Sequence, residues 1–169
     1  DRLMKSAVTE LNVEKINELS KKIGIEWFCT PMYPEAVKFL EPFVKRYKIR
    51  ESDGRVLMKN STSPLIDQIL DTDKEVIVST NKNPSKTKFY KNQKIKWLYC
   101  VPKYPCTLEE INFKEMKDFD GYSNHCNNII APLTASILGA DILEVHVTAD
   151  KNKDFIDNPV SFNLNEIKK

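Results

Sequence analysis

The chain has 169 residues, 41% of them hydrophobic and 30% charged, with 26 basic against 24 acidic side chains and a formal net charge of +2. That composition excludes a disordered segment, and so even a charge balance argues against nucleic acid or an anionic membrane as the partner. The longest apolar run, Ile129 to Leu138, is broken by Pro132 and is too short to span a bilayer. The N-terminal stretch Asp1-Arg2-Leu3-Met4-Lys5 has no apolar leader core and no initiating Met, so a cytoplasmic chain, cut from something longer, is expected. Cys29, Cys100, Cys106 and Cys126 form no C-x-x-C pair and read as buried free thiols of a reducing compartment. The basic run from Lys82 to Lys96 reads as a solvated connection.

In chain order, Asn12 is expected to cap a helix whose apolar face is Val13, Ile16, Leu19 and Ile23. Ile25 to Pro31 then reads as a buried strand, and Pro34 opens a helix carrying Val37, Leu40 and Phe43. Arg46 to Glu51 is the next strand, followed by a helix begun by the pair Ser63-Pro64 and carrying Leu65, Ile66, Ile69 and Leu70. Strands are expected at Glu75 to Thr80 and Lys96 to Val101, then a short helix around Met116 with Asn112 and Glu115 as its capping box. A weak strand precedes Ser123. A helix from Asn128 to Leu138 ends at Gly139, Ile142 to Thr148 is the last strand, and Asn163 begins a final helix. These strands are apolar runs with helices between most of them, the pattern of parallel βα units covered on both faces. A doubly wound sheet and a (β/α) barrel both fit this pattern, but no glycine-rich phosphate fingerprint supports the former.

In either architecture, chemistry belongs at the C-terminal ends of the strands. Thr30, Lys48 with Glu51 to Asp53, Ser79, Tyr104, Ser123 to His125 and Glu144 to His146 fall there. The chain has 2 histidines, His125 and His146, and both lie at such ends. They could be metal ligands with open coordination positions, or hydrogen-bonded packing residues. Lys48 within an apolar strand either points inward, where it needs an anion, or snorkels outward to water. Glu144 stands one strand repeat before His146, so the two side chains are expected on one face.

These residues resemble a known family. Gly121-Tyr122-Ser123-Asn124-His125, followed after an Ala- and Leu-rich helix by Gly139-Ala140-Asp141-Ile142-Leu143-Glu144-Val145-His146-Val147-Thr148, is similar to the G-L-S-D-H-T and G-A-x-x-I-E-x-H-F-T motifs of the sialic acid synthases. The segments FCTPMYPEAVKFLE, RYKIRESD, VIVST, YCVPKYP and DNPVSF resemble further family motifs, collinear through the whole chain.

The resemblance implies a (β/α) TIM-type barrel, with residues 1–169 as one partial barrel domain holding about six of the eight βα units. The family's first two strands and its C-terminal antifreeze-like domain would lie outside it. It implies condensation of phosphoenolpyruvate with N-acetylmannosamine or a related N-acetylated amino sugar, giving a nonulosonic acid and phosphate, in a homodimer. His125 and His146 match the positions that hold Mn²⁺ or Mg²⁺. Lys48, Ser79 and Ser123 match phosphoenolpyruvate-binding positions, and Thr30, Tyr104, Asp53, Glu144 and Asp157 match sugar-contacting or acid/base positions; of these, Asp53, Glu144 and Asp157 are the candidate catalytic groups. The chain departs from the family at Asn81, Pro102, Asn124 and Cys126 and in the run Arg50-Glu51-Ser52, and the stretch Asn81 to Ile95 is too short and polar for the family's helix there. With two strands and a domain lacking, little or no synthase turnover is expected of the chain alone. A degenerate barrel that only binds a metal or sugar phosphate, or serves as an assembly partner, is the alternative.

Overall fold

A computed structural model describes residues 8–168; the N-terminal stretch read for a leader lies outside them. Its helices are α1 (Glu10–Ile23), α2 (Pro34–Leu40), α3 (Glu51–Gly54), α4 (Pro64–Asp71), α5 (Ile130–Ile137) and α6 (Leu164–Ile167). Strands β1 (Arg46–Ile49), β2 (Glu75–Thr80), β3 (Ile95–Cys100), β4 (Gly121–Ser123) and β5 (Ile142–Glu144) form one parallel sheet in the order of the chain. In an order without reversal, crossovers of the one hand that parallel strands favour keep the connections on one face, as in a barrel rather than a doubly wound sheet.

The sheet is curled. Flat strands spaced about 4.8 Å apart would set β1 and β5 about 19 Å from each other. Lys48 on β1 nevertheless lies 3.4 Å from Glu144 on β5, Nζ to Oε2. The sheet is therefore a half-barrel with an inner and an outer face.

Period-two alternation sorts the side chains between them. Outward, Tyr47, Ile49, Val76, Val78 and Trp97 pack with Val37 and Leu40 of α2 and Ile66 and Ile69 of α4 in one core. Farther along, Tyr99 and Tyr122 pack with Met116 and with Ala131 and Ala135 of α5 in a second. Inward lie Ile77, Leu98 and Ile142, lining a cavity of about 270 Å³ with Phe28, Lys48 and Glu144. Gly121 is required where β4 meets β5: a Cβ there would stand 1.9 Å from the Ile142 carbonyl oxygen.

Several expectations need correction. Thr9 caps α1, and Asn12 is its reciprocal partner at the third helical position. Of the expected α1 face only Val13 is buried, while Ile16, Leu19 and Ile23 are exposed. The strand expected at Ile25 to Pro31 reduces to one bridge, Cys29 to Tyr47, because the segment runs along the sheet edge with a single partner. The helix around Met116 is a 3₁₀ helix, Phe113–Asp118, without a side-chain cap from Asn112, whose backbone N–H donates to the Tyr99 hydroxyl (3.1 Å). The expected strand from Ile142 to Thr148 breaks after Glu144. Its remainder, β6 (Val147–Thr148), pairs with β7 (Phe162–Asn163) in a separate parallel ribbon, and the main sheet holds five strands because the segment from Ile25 to Pro31 adds only its bridge.

The connection from β2 to β3 carries only a 3₁₀ turn, Pro84–Lys86. Its place on the outer face is filled by Phe89, anchored where Thr87 donates to the Leu57 carbonyl and the Lys88 N–H to Asn60 Oδ1, both at 2.7 Å. Lys82, Lys86, Lys88, Lys91 and Lys94 of this connection are solvated. Among the described residues no helix is long and apolar enough to cross a membrane.

Candidate active site

Two groups of side chains assemble at the C-terminal ends of the strands. The first stands on the sheet itself. Lys48 is 6% exposed, and its ammonium donates to Ser79 Oγ (2.7 Å) and to the Ile49 carbonyl (3.3 Å) beside Glu144. An ammonium so far from water is tolerated because hydroxyl, carbonyl and carboxylate replace its hydration. Cys100, Ser123 and Glu144 are partners in register across β3, β4 and β5, so thiol, hydroxyl and carboxylate form one inward row. Burial, then the Glu51 carboxylate, pushes the Cys100 thiol up to about 12, so it is a neutral wall and not a nucleophile.

The second group is delivered by loops. Cys106 bridges to Cys126, and the Cys106 N–H donates to the His125 carbonyl (2.9 Å), so the loop after β3 runs beside the loop after β4. This lays the Tyr104 ring edge-on against His125, with centroids 4.9 Å apart, and against His146 at 5.5 Å. The bond from Tyr104 to Pro105 is cis. Asp157 arrives through the β6–β7 ribbon, where the Phe162 N–H donates to the His146 carbonyl (2.8 Å). The Tyr104 hydroxyl donates to Asp157 Oδ1 (2.6 Å), and Asp157 Oδ2 lies 3.6 Å from His146 Nδ1. Burial first, then this carboxylate, raises the Tyr104 pKa and keeps the phenol protonated.

The histidines have distinct settings. His125 Nδ1 donates to the Val101 carbonyl (2.9 Å), which leaves Nε2 as the lone-pair nitrogen. Its pKa is lowered, chiefly by burial, so the imidazole stays neutral as a ligand must. The ring centroids of His125 and His146 are 6.1 Å apart, a separation that one ion can bridge if it bonds a nitrogen of each at about 2.1 Å. Among the described residues no three His, Cys, Asp or Glu side chains converge as a closed metal site. A pair of imidazoles with open positions fits an ion that also binds substrate. Asn124, fully buried, braces the turn that carries His125: its Nδ2 donates to the Cys126 carbonyl (2.6 Å) and its Oδ1 accepts from the Cys126 N–H (3.2 Å). An aspartate could make only the second of these bonds.

The structure thus brings together Lys48, Ser79, Ser123 and Glu144, and separately Tyr104, His125, His146 and Asp157. Asp53 stands apart on α3, bonded to Arg50 (2.5 Å), and Thr30 lies in the loop after the Cys29 bridge. Cys100 and Arg55 belong to the surroundings of this site and are not among the residues to which the sequence points, whereas Glu51, named with the polar strand-end residues, is the partner of Arg55. The register of Cys100 with Ser123 and Glu144 is the signal for the first. An arginine four residues after the unexpected glutamate is the signal for the second.

Comparison with known proteins agrees with the half-barrel fold. An uncharacterized protein of Methanocaldococcus jannaschii is 30% identical over 95% of this chain and 51% of its own length. The N,N'-diacetyllegionaminic acid synthase of Campylobacter jejuni is 30% identical over 94% of this chain and 52% of its own. The chain thus spans about half the length of these relatives. The N-acetylneuraminic acid synthetase of Leptospira borgpetersenii, solved with citrate, superposes with a TM-score of 0.74 at 25% identity, over 92% of this chain and 59% of that one. A truncated 3-deoxy-D-arabino-heptulosonate 7-phosphate synthase of Thermotoga maritima shares the fold at 14% identity, with a TM-score of 0.68 over 96% of this chain and 69% of that one. The NeuB family model matches residues 1–169, and the chain belongs to the NeuB family.

Proposed function

We propose that this chain carries the enolpyruvate- and metal-binding part of a nonulosonic acid synthase, which condenses phosphoenolpyruvate with N-acetylmannosamine or a related N-acetylated amino sugar and releases phosphate. The observation that carries this reading is the buried Lys48 ammonium, held by Ser79 and Glu144 at the strand ends of a half-barrel whose relatives are synthases of such acids. Lys48, Ser79 and Ser123 offer one cation and two hydroxyls to the phosphate and carboxylate of phosphoenolpyruvate. His125 and His146 would hold Mn²⁺ or Mg²⁺, which when bound would polarise the sugar aldehyde. Tyr104, fixed by Asp157, orients the sugar between the two groups, and Glu144 and Asp157 are the carboxylates that can exchange protons with the reacting oxygens. Thr30 and Asp53 remain outer contacts to the sugar in this reading. The cysteines are free thiols, which suits a cytoplasmic setting, and a homodimer is the assembly we infer.

Calorimetric titration of the chain with Mn²⁺ and with phosphoenolpyruvate tests the reading. His125→Ala or His146→Ala should abolish Mn²⁺ binding, and Lys48→Met should weaken phosphoenolpyruvate by about 100-fold or more. Unchanged affinities in these variants would sink it. Phosphate release from phosphoenolpyruvate and N-acetylmannosamine then separates a synthase from a barrel that binds without turnover.

A further inference from the structure

Directly after Lys48 the chain turns through α3, and its charges pair among themselves. Arg50 donates to Asp53, and Arg55 forks onto Glu51, with Nε at 2.9 Å from Oε1 and Nη2 at 2.7 Å from Oε2. The two partners of the second pair differ in freedom: the Glu51 side chain is 10% exposed and that of Arg55 59%. The turn itself is held. A Cβ on Gly54 would stand 2.9 Å from Val78 Cγ1 and 3.2 Å from the Ser79 carbonyl oxygen, so α3 is seated on the strand end whose serine binds Lys48. The Glu51 carboxylate is also the charge that most raises the Cys100 thiol, which stands in register with Ser123 and, through it, Glu144.

Charge at this strand end is balanced without a ligand. Lys48 is offset by Glu144, and Glu51 by Arg55. A phosphate monoester carrying a carboxylate brings more negative charge than a lysine already shared with Glu144 can neutralise. Arginine presents a planar fork that fits phosphate as well as carboxylate.

We propose that Arg55 is a phosphate ligand of this site, and that Glu51 occupies in the free chain the place the substrate phosphate takes. Binding is then an exchange in which the exposed guanidinium leaves the fixed carboxylate for the incoming anion. Glu51 sets how strongly the anion must compete. This rests on the synthase reading above.

The test is calorimetric titration of the chain with phosphoenolpyruvate, for the wild type, Arg55→Ala, Arg55→Lys, Glu51→Gln and Lys48→Met, with urea unfolding of each as a folding check. Arg55→Ala should weaken binding on the order of tenfold, and Arg55→Lys should restore only part of it, since an ammonium lacks the fork. Glu51→Gln should tighten binding several-fold, which a merely structural salt bridge would not do. Arg55→Ala at wild-type affinity, or Glu51→Gln binding more weakly while folding as stably, overturns the proposal. If Lys48→Met loses binding and Arg55→Ala does not, the assignment of Arg55 falls and the synthase reading stands. A wild-type chain that binds no phosphoenolpyruvate overturns both.

Discussion

The two halves of the site are built by different means. Lys48, Ser79, Ser123 and Glu144 stand on strands, and their spacing follows from sheet register and curl. Tyr104, His125, His146 and Asp157 stand on loops and a two-stranded ribbon, and their spacing follows from one bridge, one braced turn and a few hydrogen bonds. The strand-borne half is nearly dry at Lys48, Ser79 and Ser123, whereas Tyr104 is 43% exposed. Register fixes what must not move. Loops hold the more open half.

The sharpest way to break this contrast is Gly121→Ala. A Cβ at 1.9 Å from the Ile142 carbonyl oxygen meets backbone and not a yielding side chain, so β4 and β5 must separate. A loss of about 3 kcal/mol or more, near 10 °C in melting temperature, is expected in thermal unfolding, and binding of phosphoenolpyruvate should fail before that of Mn²⁺. Tyr104→Phe should act on the loop-borne half alone. It removes the bond to Asp157 while keeping the ring against both histidines, so stability should change by about 1 kcal/mol at most and binding of the amino sugar should weaken by about tenfold. A fall in phosphoenolpyruvate affinity of the same size would show the halves to be coupled.

The smallest effect concerns the thiols. Burial holds Cys100 at about 12 and Cys106 at about 11, above the ordinary 9.0. The unfolded chain therefore loses these protons first as pH rises, and the thiols favour folding below about pH 9 and cease to do so as pH climbs toward 12. An aromatic disulfide reagent at pH 8 should leave Cys100 and Cys106 unmodified in the native chain and label both in denaturant. Rapid native labelling of Cys100 would mean that the strand-borne half opens to solvent.

Much of the sheet could be read in the sequence because burial on both faces leaves an apolar run with sharp ends, as at Glu75–Thr80. Ile25 to Pro31 has the same appearance but runs along the edge, and apolar character does not reveal the number of neighbours. The strand through His146 looks continuous in the sequence because local pattern cannot show that Val147 and Thr148 pair with Phe162 and Asn163 and not with the main sheet. Among the site residues, the histidines and Lys48 stood out by type and position. That Lys48 meets Glu144 depends on sheet curvature, which no local signal carries. The Asn124 departure gains its sense only when both ends of its amide are seen to clasp the Cys126 backbone.

The unreversed strand order has a consequence for how the chain is made. Among the described strands of the main sheet, β2 to β5 each pair with the one before, so the sheet can grow by addition as the polypeptide leaves the ribosome. The contact between Lys48 and Glu144 is different, because it joins the first strand to the fifth. It can form only after the last strand is laid down. Until then the lysine is an unpaired cation at the end of a growing sheet, and the arrival of Glu144 marks the moment at which synthesis has produced a pocket.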